Sequence, residues 1–283
     1  LLDLESGETL PLTDDDQVYA DPSFSPDGTR LAYVSTEPSG YFNVYVREIG
    51  DGGWEGPPQA VTSDHGFGRD RLYFGSEDIH TQPAWFPGGE ELLLVSNRDV
   101  ALGSGNVFRV PARAGGFRDR RVVLLYQTLY LTRPHVSPDG KRFVFSSTRG
   151  AADQYNNLYV QPTSGGEPYK LTFFQHDAFH PRWSPDGEWI AYISNRGGLP
   201  GLELLETYGG KIRRVEIASR DWLRPVGRLR VTTLGPGGGS TPSRIHLTAS
   251  DGKAYAPADQ YARIPRRARV PAFHHDGAFE VEL

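Results

Sequence analysis

One heptapeptide pattern recurs along the chain and constrains its fold more than any other feature. It reads PSFSPDG at 22–28, PAWFPGG at 83–89, PHVSPDG at 134–140 and PRWSPDG at 181–187. An apolar run follows each copy, as LAYVST at 31–36, LLLVSN at 92–97, FVFSST at 143–148 and IAYISN at 190–195. Because proline presets φ, aspartate bonds to the nearby backbone and glycine accepts positive φ, the pattern predicts a hairpin turn between two strands.

Two further apolar runs complete each unit. The third runs lie at 43–46, 106–110, 157–160 and 202–205, and the fourth lie at 59–62, 121–126, 169–172 and 212–217. Four short strands in a unit of roughly fifty residues are typical of a propeller blade. We therefore predict an all-β fold, a β-propeller with four whole blades and part of another. The partial blade comes from the runs at 1–4 and 8–13 and implies further blades upstream in the parent protein.

Composition agrees with this fold and removes several functional classes. The chain has 33 Gly and 22 Pro, and its lack of Cys excludes disulfides, thiolate catalysis and cysteine-bound zinc. A net charge of -5 offers no broad attraction for phosphate backbones, so we expect no nucleic-acid partner. No apolar stretch approaches the ~20 residues of a membrane span.

These repeats resemble the WD-like repeats of TolB, which also occur in the propellers of tricorn and prolyl-oligopeptidase-type peptidases. The resemblance covers residues 1–222, which we assign to the propeller domain. It implies a module that binds or positions a ligand or partner, and it is specific for the fold rather than for one task. It also favours a periplasmic or secreted protein, with the cytoplasm as the alternative.

A second domain is predicted at 223–283, after a change in composition near Arg220. Its strand-like runs at 228–232, 244–248 and 279–283 and its turn at 250–252 are typical of a small antiparallel sandwich. The order of these runs is similar to that of carboxypeptidase-regulatory, transthyretin-like sandwiches. A propeller followed by such a sandwich resembles the N-terminal part of amidohydrolase or PHP-type (CehA/McbA-like) metallohydrolases. That resemblance implies a downstream catalytic domain as the partner of this chain.

Named catalytic motifs are absent from the sequence. It has no nucleophile elbow, no His-x-His, no His-Glu-x-x-His and no phosphate-binding glycine loop. The propeller topology instead gathers polar side chains on the face opposite the Ser-Pro-Asp-Gly turns. We predict a ligand- or partner-binding face there, made of His65, Asp78, His80, Gln82, Arg133, His135, His176 and His180, with Glu77 and Asp177 beside them.

Two interpretations of that face stay open. Neutral imidazoles at the channel suit a divalent metal, with His80, His135 and His180 as candidate ligands, and oligogalacturonate lyases are also TolB-like propellers. Alternatively, these side chains cap strand ends and bond to loop backbone. Arg98, Arg149 and Arg196 share one repeat position, which predicts structural ion pairs between blades.

Three functional hypotheses follow. The leading one is a non-catalytic propeller for ligand or partner binding and substrate gating, part of a larger metal-dependent hydrolase. The second is a free-standing TolB-like scaffold that binds a protein or peptide. The third is a metal-dependent lyase-like enzyme.

Overall fold

The computed structural model describes residues 1–71, 75–101, 105–125, 133–149, 154–196, 200–219, 226–250, 252–257, 260 and 271–282. Packing of the backbone divides the chain into two compact units, Leu1–Val215 and Glu216–Leu283. The predicted domain boundary at 222/223 lies among residues outside the described ranges. None of the described helical segments has the length and apolar character needed to cross a membrane.

Four antiparallel sheets, each of four consecutive strands, make up the first unit, and they confirm the predicted all-β propeller of four blades. The first blade contains β1 (Tyr19–Phe24), β2 (Arg30–Ser35), β3 (Asn43–Gly50) and β4 (Gly53–Ala60). A separate hairpin, β5 (Gly66–Arg71) and β6 (Gly75–Glu77), follows it. The second blade contains β7 (His80–Trp85), β8 (Glu91–Ser96), β9 (Asn106–Pro111), a 3₁₀ turn (Gly116–Asp119) and β10 (Arg121–Leu124).

The last two blades repeat this order. The third contains β11 (His135–Val136), β12 (Arg142–Ser147), β13 (Asn157–Pro162) and β14 (Tyr169–Lys170). The fourth contains β15 (Ala178–Trp183), β16 (Trp189–Ser194), β17 (Gly201–Glu206) and β18 (Ile212–Arg214). Contacts join β1 to β7, β7 to β11 and β11 to β15, so the first strand of every blade lies innermost, along the axis.

The hairpin turns form as their residue types predict. In the first blade the Asp27 carboxylate accepts hydrogen bonds from the Ser25 hydroxyl and the Thr29 backbone N–H, while Gly28 takes φ 74°. The same bonds recur around Asp139 and Asp186. These bonds lower the pKa of Asp27 to about 2, because they favour the ionised carboxylate. The turn aspartates are therefore structural.

Apolar clusters between neighbouring sheets hold the blades together. One cluster joins the first and second blades through Val34, Val44 and Leu94, among others. A second lies between the second and third blades, and a third between the third and fourth. Burying a side chain such as Leu94 contributes about 1.5–3 kcal/mol, so these contacts outweigh any single polar bond in the sheets.

At the N-terminus the predicted partial blade is a short hairpin rather than two full strands. A single antiparallel bridge pairs Leu2 with Thr9, and the backbone N–H of Leu10 donates to the carbonyl of Leu1. Leu4 is 90% exposed. Its apolar side chain is therefore not part of the core.

The second unit has two two-stranded sheets. One pairs β19 (Arg228–Thr232) with β22 (Ala278–Glu282), and the other pairs β20 (Ser243–Ile245) with β21 (Phe273–His275). Phe273, Phe279 and Val281 form a small buried cluster, and apolar side chains of β19 and β20 pack against it. This unit is therefore a separate β structure with its own core.

Candidate binding site in the propeller channel

Each innermost strand contains or closely follows one residue in the left-handed conformation, which lies immediately before a proline. These residues are Asp21, Gln82, Arg133 and His180, with φ of 49°, 58°, 37° and 53°. In the first, second and fourth blades the strand pairing shifts register at this point. Positive φ costs a non-glycine residue about 1–3 kcal/mol, and bulges of this kind redirect a side chain. The repeated strain aims one polar side chain per blade out of the sheet.

Hydrogen bonds link Asp21, Gln82 and Arg133 from blade to blade. The backbone N–H of Gln82 donates to Oδ2 of Asp21 at 3.1 Å, and the backbone N–H of Arg133 donates to Oε1 of Gln82 at 2.7 Å. The Arg133 guanidinium forms an ion pair with Asp21, which completes this series of contacts. We call Asp21, Gln82, Arg133 and His180 the polar arc.

Two more side chains adjoin the arc, each one residue beyond the proline of its strand. His135 accepts a hydrogen bond at Nδ1 from the backbone N–H of Trp183, at 3.1 Å, which ties the third blade to the fourth. Arg182 is open to solvent and donates to the carbonyl of its neighbour Pro181 at 2.9 Å. Among the described residues, no carboxylate pairs with Arg182.

The local electrostatics favour neutral imidazoles beside cationic guanidinium groups. Burial and the charge of Arg182 lower the pKa of His135 to about 4. Burial, Arg133 and Arg182 also lower the pKa of His180. At neutral pH the site therefore holds one carboxylate, Asp21, and two guanidinium groups.

Asp78 and His65 lie in a different cluster. The Asp78 carboxylate is fully buried and pairs with Arg71, with Arg98 and, at 3.2 Å, with the exposed His65. Arg71 also donates to the carbonyls of Ser76, Glu77, Asn97 and Val100. This cluster fastens the β5–β6 hairpin to the second blade, so its polar groups serve the fold.

His80 is fully buried at the start of β7, where its ring packs edge-on against Phe117 with centroids 4.8 Å apart. With the described residues neither ring nitrogen forms a hydrogen bond of normal geometry, although the Ser63 backbone lies near enough to favour the charged form. Burial dominates and lowers the pKa of His80 to about 4. The His80 backbone N–H donates to the Phe42 carbonyl of the preceding blade.

His176 stacks on Phe174, with ring centroids 4.6 Å apart, and lies near the buried Glu203.

The neighbouring Asp177 accepts hydrogen bonds from Asn156 of the third blade and Asn195 of the fourth, so it joins the two blades. Glu77 lies in β6 beside the Asp78 cluster. The predicted face thus divides into the polar arc and several structural clusters.

The three candidate metal ligands have separate surroundings. His80 lies against Phe117, His135 bonds to Trp183, and His180 belongs to the polar arc. Within the ranges that the structure describes, no three His, Asp or Glu side chains are grouped as a metal site would require. The structure does not bring these imidazoles together as ligands, and a divalent metal stays a prediction.

The repeated arginines form ion pairs within blades, so the prediction of pairs between blades is wrong. Arg196 pairs with Glu203 of β17 at 3.0 Å, and Arg149 pairs with Glu167 of its own blade at 3.5 Å. Arg98 pairs with Asp78 at the entry to its blade. The repeat position places each arginine just after its second strand, where its acidic partner among the described residues lies in or beside the same blade.

Sequence reasoning missed Asp21 and Arg182. A signal for Asp21 was present, because it precedes Pro22 as Gln82, Arg133 and His180 precede their own prolines. Arg182 follows Pro181 as His135 follows Pro134. Alignment of the repeats around the proline, rather than a search for histidines, identifies both residues.

Solved structures with the same fold include two TolB proteins. TolB from Acinetobacter baumannii superposes with a TM-score of 0.57 at 17% identity, over 98% of this chain and 59% of that one. TolB from Agrobacterium tumefaciens gives 0.51 at 19% identity, over 96% of this chain and 91% of that one. The chain therefore has a TolB-like β-propeller fold, which these identities support for the fold alone.

Curated relatives match shorter stretches. The chain is 27% identical over 195 residues to the uncharacterized peptidase YuxL of Bacillus subtilis, which is 69% of this chain and 24% of that protein. It is 32% identical over 124 residues to the uncharacterized protein Atu1656 of Agrobacterium fabrum, or 44% of this chain and 40% of that protein. The chain thus spans less than half of either relative, and no protein-family model matches it.

Proposed function

We propose that this chain is a non-catalytic propeller module that holds a ligand or a partner at the polar arc. The observation that carries the proposal is the strained residue in each innermost strand. A left-handed residue before proline is unfavourable at each position, and its recurrence in every blade supports a common role for these four polar residues. Such residues cluster at ligand sites, where the surrounding fold holds them in place.

The proposal includes a role as the gating part of a longer, metal-dependent hydrolase. The peptidase name of the Bacillus subtilis relative supports a hydrolase context, as does the resemblance of the second unit to regulatory sandwiches. In that context the propeller would position substrate for a catalytic domain elsewhere in the parent protein. We place the protein in the periplasm or outside the cell, in keeping with the TolB-like fold.

A free-standing scaffold that binds a protein or peptide is the alternative. Both hypotheses use the same arc. In the hydrolase the arc presents its ligand to a catalytic domain, whereas the scaffold binds its ligand without one. The complete coding sequence separates them, because a catalytic domain with a His-x-His motif in the same reading frame favours the hydrolase.

Site-specific photo-crosslinking tests the binding role. A benzophenone amino acid replaces Gln82 in the arc, and in a matched control it replaces Asp139 in a hairpin turn at the other end of a first strand. Both proteins are exposed to a library of biotinylated hexapeptides. We expect crosslinked peptide from position 82 only, with no cleavage of the library. Equal crosslinking at both positions, or peptide cleavage by this chain, contradicts the proposal.

A further inference from the structure

The hydrogen-bonding capacity of the channel is unbalanced. Both oxygens of Asp21 are occupied, by the Gln82 backbone and by the Arg133 guanidinium, and Oε1 of Gln82 accepts from the Arg133 backbone. The oxygens of Asp21 and Oε1 of Gln82 therefore each already accept a hydrogen bond from the protein itself.

The donors, in contrast, are largely unused. Among the residues that the structure describes, neither the buried Nε of Arg133 nor the Gln82 amide nitrogen has a hydrogen-bond acceptor. Because Oε1 of Gln82 must face the Arg133 N–H, its amide NH₂ is held in a known orientation. Within the described part of the chain, the Arg182 guanidinium donates to the Pro181 carbonyl alone, which leaves most of its five N–H groups for another acceptor.

The charge of the site favours the same kind of ligand as its unused donors. The hydrogen bond from the Trp183 backbone to His135 joins the strand that carries Arg182 to the segment that follows Arg133. Asp21 is the one carboxylate among the six described residues of the site. The site is therefore cationic, although the whole chain carries a net charge of -5. A cationic, donor-rich site selects an anionic acceptor, and a guanidinium binds a carboxylate in a planar, two-bond arrangement.

We propose that the channel binds a carboxylate of a peptide ligand through Arg182 and Arg133, with Asp21 occupying Arg133 in its absence. This inference rests on the proposed binding function and names the chemistry that the arc recognises. Asp21 acts as an internal competitor, since its carboxylate holds the guanidinium that the ligand needs. The ligand carboxylate is either a free C-terminus or an acidic side chain.

Fluorescence anisotropy with four short labelled peptides tests the proposal. The probes are tri-alanine with a free C-terminus, its C-terminal amide, the amide of Ala-Glu-Ala and the amide of Ala-Gln-Ala. Wild-type chain is expected to bind the first or third probe at least about tenfold more tightly than its uncharged match, because a charged hydrogen bond of this kind changes affinity by that order. The pair that shows the difference identifies the source of the carboxylate.

Variants with opposite expected effects sharpen the test. Arg182→Gln should weaken carboxylate binding about tenfold, and Arg182→Lys should weaken it less, because lysine keeps the charge but loses the planar pair of donors. Asp21→Asn should strengthen binding several-fold, since it releases Arg133. Arg121→Gln is the matched control, because that side chain is 71% exposed on the outermost strand β10, and it should leave affinity unchanged. Thermal melts establish that each variant is folded.

The outcomes separate this inference from the function on which it rests. If charged and uncharged peptides bind the wild type equally, or if Asp21→Asn weakens binding as much as Arg182→Gln does, the carboxylate site is wrong while peptide binding stands. If no peptide binds and the crosslinking at position 82 is also silent, the proposed function itself fails.

Discussion

Arg71 and Asp78 form an ion pair from which water is wholly excluded, since both side chains are 0% exposed. Isolated charges are expensive to bury, and this pair is tolerated because backbone carbonyls and Arg98 satisfy the remaining groups. The pair connects the β5–β6 hairpin to the second blade. It is the most deeply buried ionic contact among the described residues.

Removal of one member of this pair should destabilise the propeller strongly. Asp78→Ala leaves two guanidinium groups without a buried counter-charge, and we expect a loss of about 3–5 kcal/mol in the free energy of unfolding. Urea denaturation followed by tryptophan fluorescence measures it. The matched control is Asp119→Ala, whose ion pair with Arg113 is exposed and should contribute no more than about 1 kcal/mol. Equal losses in the two variants would contradict the prediction.

Stability should fall between about pH 6.5 and pH 4 because of His80. The folded protein holds this imidazole neutral, with a pKa of about 4, whereas the unfolded chain protonates it near its ordinary value of 6.5. The stability that comes from burying neutral His80 is therefore fully present above pH 6.5. It is lost as the pH falls toward 4, which lowers the free energy of unfolding by about 3 kcal/mol at most. Melting temperatures across this range measure the slope.

His80→Phe should flatten that dependence. Phenylalanine keeps the edge-on contact with Phe117 and removes the titrating group. Part of the slope should remain, because burial also lowers the pKa of His135 to about 4. A variant with the same pH slope as the wild type would show that His80 does not control acid stability.

The turn glycines should differ in their tolerance of alanine. Gly187 has φ 75°, and a Cβ added there would meet Pro138 only at an ordinary 3.8 Å, so the cost of Gly187→Ala is backbone strain of about 1–2 kcal/mol. Gly88 lies in the equivalent turn of the second blade without positive φ and with open space around it. Gly88→Ala should therefore be neutral or slightly stabilising. Guanidinium unfolding of the two variants checks the contrast, and a reversed order would refute it.

The hydrogen bond from Tyr192 should stabilise the buried Glu203 carboxylate between the third and fourth blades. The Tyr192 hydroxyl donates to Oε2 of Glu203 at 2.7 Å, while Glu203 is 1% exposed. Tyr192→Phe removes that donor and should cost about 1–3 kcal/mol of folding free energy. Tyr208→Phe is the control, because that ring is 73% exposed. Differential scanning calorimetry distinguishes them, and a loss at Tyr208 matching that at Tyr192 would count against a special role for the buried bond.

The blade pattern could be predicted because its causes are local. Ser25, Pro26, Asp27 and Gly28 contain within one tetrapeptide the groups that form their turn, and the apolar runs that follow need only a neighbouring sheet to bury them. The same holds for the serine that ends each second strand, whose hydroxyl accepts the backbone N–H two residues on in all four blades. Interactions that span only two to five residues do not depend on how the rest of the chain folds.

The candidate site could be predicted only in part, because its members come from different blades. Gln82, Arg133, His135 and His180 were expected on one face. Hydrogen bonds join Gln82 and Arg133 to Asp21, and His135 to the Trp183 backbone beside Arg182. His65, Asp78, His80 and His176 share that face by topology but lie in separate contacts. Topology predicts the end of a strand at which a residue lies, and it does not predict the direction of its side chain.

Residue order along this chain is enough to specify the turns, the four-stranded blades and the one polar position before each inner proline, since all depend on short-range bonds and steric preference. Which polar groups meet was settled only when the sheets packed around a common axis. Bulges in the inner strands then turned Asp21 toward Arg133. The ion pair between Arg71 and Asp78 became fully buried. Charges interact according to distance and solvent exposure, and both quantities exist only in the folded molecule.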